Sequence, residues 1–150
     1  MKLLLDENVP APMTSTVRTL LRRSHEVEHV IELDGWSGTK DLRLYDQAAQ
    51  AGFQLVVTND AKQMHRKSEV EAIARSRLHR VQYPHRQDGI VGLGLAIATV
   101  CAALPSLLQE LDSADGQRLV TLRALDPGRD HRYSIRDPFT DPPKFWPQAA

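Results

Sequence analysis

Leu3-Leu4-Leu5-Asp6-Glu7-Asn8-Val9-Pro10 and, further along, Leu55-Val56-Val57-Thr58-Asn59-Asp60 are the stretches on which the fold turns. Each is a short apolar run cut off by acidic and turn-forming residues, which is how a buried strand stops at a loop. Between and beyond them the chain alternates. Helical spacing of Met13, Val17, Leu20 and Leu21 predicts an amphipathic helix over 12–23, and 26–31 reads as a second strand. After a loop at 34–38, Thr39 is the expected N-cap of a helix carrying Leu42, Tyr45, Ala48 and Ala49, closed near Gly52. The third strand is expected over 53–58. A polar loop, 59–67, leads to Ser68-Glu69-Val70-Glu71, whose spacing fits a capping box opening a helix to about Ser76. A fourth strand follows over 78–83.

Asp88 is the expected cap of a long apolar helix, 89–104, with Pro105 bending it or starting a second segment to about Asp112. Its apolar run is about fifteen residues, below the roughly twenty that span a bilayer, so it reads as a core helix. Residues 118–125 and 131–135 flank Pro127-Gly128 and read as a terminal hairpin or strand pair. A proline-rich tail with Phe139, Phe145 and Trp146 ends the chain and is expected to dock on a partner or a second copy. The expected division is a catalytic domain over 1–125 and a terminal strand with tail over 126–150. Strands alternating with helices predict an α/β sandwich with a mostly parallel central sheet.

The composition agrees with one soluble domain: 150 residues, 41% hydrophobic and 25% charged. Nineteen basic residues balance nineteen acidic ones, so no global field draws the chain to nucleic acid or an anionic membrane. A single cysteine, Cys101, excludes a disulfide framework within the chain and reads as a small core residue. The carboxylate pair at Asp6 and Glu7 comes too early for a signal-peptide apolar region, and a cytoplasmic location is expected.

In parallel sheets the functional crevice lies beyond the carboxyl ends of the strands. That rule selects Asp6 and Glu7 after strand one and Asp60 after strand three, with Asp41 at the start of the intervening helix. Converging carboxylates repel unless a cation sits among them, and hard oxygen donors suit Mg²⁺ or Mn²⁺. Such an ion activates a water against a phosphodiester. Each residue also has a plainer reading: Asp41 as complement to a helix dipole, Asn59-Asp60 as an Asx turn.

These segments, LLDENVP, Asp41 at a helix start and LVVTND, resemble the compact PIN-like nucleases, the group that includes VapC-like toxins of toxin-antitoxin modules. The resemblance covers residues 1 to about 83. It implies a PIN-like three-layer α/β/α sandwich, Mg²⁺- or Mn²⁺-dependent RNA cleavage with Asp6, Asp41 and Asp60 as ligands, and an antitoxin protein as partner. Larger PIN domains use a fourth acidic residue, for which Glu7, Glu32, Asp34 and Asp46 are the candidates. From Lys62 to Arg86 seven basic residues face two acidic ones, and Lys62, Arg66 and Lys67 are best placed to hold an RNA backbone.

Other readings compete with this one. His25-Glu-Val-Glu-His29 matches the H-E-x-x-H zinc pattern, which needs both histidines on one helical turn and a third ligand that is not evident. A receiver domain shares the acidic pair and the later aspartate, but would need a Lys-Pro, which does not occur. A non-catalytic interaction module on a PIN-like fold is the third. Gly89-x-x-Gly92-x-Gly94 reverses the dinucleotide fingerprint and reads as close helix packing.

Overall fold

A computed structural model of the chain describes residues 1–125 and 132–147. It forms a five-stranded, all-parallel sheet between two helical layers. The strands are β1 (Lys2–Leu5), β2 (Glu26–His29), β3 (Leu55–Thr58), β4 (His79–Gln82) and β5 (Leu119–Thr121), in the order β2-β1-β3-β4-β5. The helices are α1 (Ala11–Leu21), α2 (Asp41–Gln50), α3 (Lys67–Ser76) and α4 (Gly89–Asp112), with short 3₁₀ turns at Val30–Glu32 and Ala61–His65.

The apolar runs of β1 and β3 are buried on both faces, as parallel strands between helices require. Leu3, Leu5, Leu55, Val57 and Val81 meet Met13 and Val17 of α1 and Val100, Leu104 and Leu108 of α4. On the other face Leu4 and Val56 meet Leu44, Tyr45 and Ala48 of α2 and Ile73 of α3. Fully burying one such leucine contributes about 1.5–3 kcal/mol. The three-layer sandwich is therefore the one the alternation of elements predicts.

Several local expectations are corrected. β2 ends at His29, because the His29 ring accepts the Ile31 N–H and Glu32 accepts the His29 N–H, which turns the chain into a 3₁₀ helix. Lys40 rather than Thr39 occupies the N-cap of α2, and Leu42 is exposed while Leu44 is buried. Gly52 closes α2 at φ +83°, where an L side chain would be strained. The Ser68 capping box does not form: α3 begins at Lys67 with Arg66 as N-cap. Pro105 does not divide α4, which runs unbroken for 24 residues. That makes α4 long and apolar enough to cross a membrane by length and composition, but one side of it, from Ala96 to Leu111, is built into the core.

The expected terminal hairpin is replaced by a parallel edge strand. β5 pairs with β4 in the register Val81↔Val120, since α4 carries the chain back to the amino edge before β5 begins. The expected partner strand falls partly outside the described residues at His131, and the described 132–135 segment contains no strand. Phe139 and Phe145 of the tail are exposed, and Trp146 is 40% exposed.

The glycine cluster of α4 divides in two. A Cβ on Gly92 would collide with the Gln87 carbonyl, whereas one on Gly94 would meet nothing within 4 Å. Gly92→Ala is therefore expected to cost about 1–3 kcal/mol by overpacking against backbone that has no rotamer to move. Gly94→Ala should be neutral or stabilising. Urea denaturation of the two variants checks the contrast.

Candidate active site

The strand order 2-1-3-4-5 reverses direction between β1 and β3, and in such sheets the crevice opens at that switch point. Asp6 follows β1 there and Asp60 follows β3. Asp6 is 3% exposed. One of its carboxylate oxygens, Oδ1, accepts the Glu7 N–H at 2.7 Å, and Oδ2 accepts the Thr58 hydroxyl at 2.9 Å. The same Thr58 oxygen accepts the Asp60 N–H at 3.0 Å. One buried hydroxyl thus ties the two aspartates together across adjacent strands.

Burial pushes the Asp6 carboxyl above its ordinary range, against the hydrogen bonds from Thr58 and the Glu7 N–H, while the negative charges of Asp60 and Glu7 push it higher still. Among the described residues no lysine or arginine forms an ion pair with Asp6, Glu7 or Asp60. The acidic edge is short of positive charge. Tyr83, which follows β4, has a buried hydroxyl without a hydrogen-bond partner among the described residues, and both burial and the charge of Asp6 raise its pKa.

Asp60 also makes its Asx turn, with Oδ1 accepting the Lys62 N–H at 2.9 Å. Glu7 serves the loop before α2: its Oε1 accepts from the Ser37 hydroxyl at 3.2 Å and the Gly38 N–H at 3.3 Å. Those contacts hold the approach to α2, and Asp41 is the first residue of that helix. The side chain of Asp41 lies outside the described part of the structure. Of the other fourth-ligand candidates, Glu32 is paired with Arg18 at 2.6 Å and Asp46 with Arg75 at 2.8 Å, while Asp34 is exposed in the loop.

A hydrated Mg²⁺ or Mn²⁺ suits this donor set. Such ions keep several waters and need only one or two carboxylates besides substrate phosphate. Among the described residues no three Asp, Glu, His or Cys side chains group closely enough to hold a metal by themselves. Asp6 and Asp60 supply hard oxygens at the switch point, and the unpaired negative charge is what a cation would offset.

The basic segment is partly neutralised. Arg66 pairs with Glu69 at 2.9 Å and Lys67 reaches Glu71 at 3.9 Å, whereas exposed Lys62 forms no ion pair among the described residues. Arg75 is taken by Asp46 and Arg80 is buried. None of α1 to α4 has a side-chain N-cap hydrogen bond among the described residues, and each begins on the carboxyl side of the sheet, so their N-termini favour negative charge there.

The zinc pattern is excluded by geometry. His25 and His29 lie at opposite ends of β2, His25 beside the amino terminus at 2.9 Å and His29 against the Val9 carbonyl at 2.8 Å. Thr58, Arg80 and Gln63 are the site-supporting residues that the sequence does not single out. Only Arg80 leaves a trace there, as a charge in the middle of an expected strand.

A parallel sheet covered on both sides, with carboxylates gathered at its switch point, is an α/β domain with an acidic crevice at the carboxyl ends of its strands. A family model of the PIN-like domain matches residues 1–83, more than half of the chain, and the chain belongs to that family. PIN domains are generally metal-dependent nucleases. Searches of curated proteins and of solved structures gave no match. The matched segment ends just after β4, so α4 and β5 complete the sandwich beyond it.

Proposed function

We propose that this chain is a Mg²⁺- or Mn²⁺-dependent endoribonuclease, acting in the cytoplasm as the toxin of a toxin-antitoxin pair. The observation that carries the reading is the Asp6–Thr58–Asp60 bridge at the switch point, an acidic pair without basic partners among the described residues. Asp6 and Asp60, with Asp41 from α2 and Glu7 beside them, would hold the ion. A bound ion supplies an activated water and neutralises charge on the scissile phosphate. The chain itself fixes the Asp6 carboxylate through the Thr58 hydroxyl, whose oxygen also holds the Asp60 backbone N–H, keeps Asp6 out of bulk water, and offers helix N-termini and Lys62, Arg66 and Lys67 to the RNA backbone. The VapC-like reading adds an antitoxin partner, and a second copy of the chain is the other partner proposed.

Metal should stabilise the folded chain by RT ln(1 + [L]/Kd), about 2.7 kcal/mol at a hundredfold excess over Kd. Differential scanning fluorimetry with millimolar Mn²⁺ is expected to raise the melting temperature of the wild type. The Asp6→Asn, Asp41→Asn, Asp60→Asn triple variant should show no such rise, and an equal rise in both would place the metal elsewhere. RNA cleavage by purified, partner-free protein, abolished by a chelator, tests the activity.

Lys62→Ala is expected to weaken RNA binding more than Arg66→Ala or Lys67→Ala, because Lys62 has no competing carboxylate among the described residues. Removing one phosphate-binding charge lowers the salt slope by about 0.7 for single strands. Gel-shift titrations at increasing salt measure this. Wild-type affinity in all three variants would return the segment to an ordinary solvated face.

A second reading, a non-catalytic PIN-like interaction module, is favoured by one observation: two of the fourth-ligand candidates, Glu32 and Asp46, are paired with Arg18 and Arg75 instead. Absence of metal-dependent cleavage with retained RNA or protein binding would support it.

A further inference from the structure

Arg80 is 3% exposed on β4, and its register partner on β3 is Val56, on the face packed by α2 and α3. An aliphatic side chain would fill such a position at less cost, since a buried charge must be repaid by good geometry. Among the described residues the guanidinium has no carboxylate partner. It donates instead to neutral oxygens: from Nη2 to the Asp60 carbonyl at 2.7 Å, from Nε and Nη2 to Gln63 Oε1 at 3.3 and 3.2 Å, and from Nη1 to Gln82 Oε1 at 2.9 Å.

Gln63 is fully buried, and its Oε1 also accepts the Tyr45 hydroxyl at 3.2 Å. Tyr45 stands one turn after Asp41 on α2. The network therefore joins three segments that local structure leaves independent: the start of α2, the loop carrying Asp60, and β4. Through Asp60 N–H and Thr58 it continues to Asp6 on β1.

We propose that Arg80, acting through Gln63, is the positioning residue that sets the Asp60 loop and the α2 start relative to Asp6. The inference rests on the metal-dependent reading of that edge. The planar fork matters here more than the charge. Lysine is a point donor on a flexible stem and cannot reach the Asp60 carbonyl and two side-chain amides in one plane. Partners that orient metal ligands typically change metal affinity by 10–100-fold when removed.

The test is Mn²⁺ titration calorimetry on the full chain, well below the melting temperature, for wild type, Arg80→Lys, Tyr45→Phe and Ile73→Val. Ile73 is a core residue on the same face that takes no part in the network. Arg80→Lys should bind Mn²⁺ at least about tenfold more weakly. Tyr45→Phe, which removes one hydroxyl, should weaken it less but measurably, and Ile73→Val should match wild type although its stability falls.

Wild-type affinity in folded Arg80→Lys, or equal weakening in Ile73→Val, overturns the positioning role. Should Arg80→Lys fail to fold, Tyr45→Phe decides in the same way, with wild-type affinity overturning the proposal. No Mn²⁺ binding by the wild type overturns the metal reading and this inference with it, whereas binding that ignores both network variants overturns the inference alone.

Discussion

Asparagine in place of Asp6 is expected to lower Mn²⁺-dependent RNA cleavage on the order of 100-fold or more, while the metal-free protein melts no lower than wild type. Losing groups that merely orient metal ligands already costs 10–100-fold, and a ligand itself should cost at least as much. The stability half of the expectation comes from the site's electrostatics. Burial pushes the Asp6 carboxyl up, so holding it ionised at neutral pH works against folding. Asparagine removes that charge and the repulsion from Asp60 and Glu7. Its oxygen still accepts the Glu7 N–H, and the hydrogen bond that the Thr58 hydroxyl gives up is offset by the removal of a buried charge. Gel cleavage assays and melting curves on the same preparations separate the two effects. Retained cleavage removes Asp6 from the mechanism, and loss of cleavage together with a large fall in melting temperature returns it to a structural role.

Thr58→Val is expected to be the costlier change for stability. Thr58 is fully buried, and valine keeps its shape but not its hydroxyl. Two groups then lose their partner, the buried Asp6 carboxylate oxygen and the partly buried Asp60 N–H. At about 1–3 kcal/mol for a buried unsatisfied group, and about 1 kcal/mol for the partly exposed N–H, the loss is about 2–4 kcal/mol or somewhat more with the carboxylate ionised. For a domain of this size that corresponds to a fall on the order of 10 °C in melting temperature. Thr58→Ser restores the hydroxyl and should recover most of the difference. If valine is tolerated within a degree or two, the hydroxyl bridge does not hold the aspartates.

The elements most legible in the sequence are those whose signal is local. β1 and β3 can be read because three consecutive apolar residues end in charge, and the same pattern places Asp6 and Asp60 at the sheet edge. What depends on partners distant in sequence cannot be read in this way. Thr58 looks like the last residue of a strand, and only the pairing of β3 with β1 brings its hydroxyl to Asp6, fifty-two positions away. Arg80 looks like one more basic residue in a basic segment, because burial of a guanidinium is decided by the helices that cover it. The Lys62, Arg66 and Lys67 cluster looks stronger in sequence than it is, since Glu69 and Glu71 return to two of its members on the next helical turn.

The carboxyl end of the chain misleads for a related reason. Val120 and its neighbours carry a strand composition that says nothing of direction, and Pro127-Gly128 suggests a tight antiparallel return. The long α4 makes the parallel pairing with β4 instead, by carrying the chain across the whole length of the sheet. Glu7 likewise reads as one more acidic ligand beside Asp6, whereas its contacts with Ser37 and Gly38 bring the approach to α2 against the end of β1.

The central claim, that the carboxylates after β1 and β3 hold a divalent ion, is tested most directly by calorimetric titration of Mn²⁺ into the metal-free full-length chain and its Asp6→Asn, Asp60→Asn double variant. Saturable binding in the wild type that vanishes in the folded double variant is the result predicted. Wild-type chain that binds no Mn²⁺, or a double variant that binds it equally well, would contradict the account.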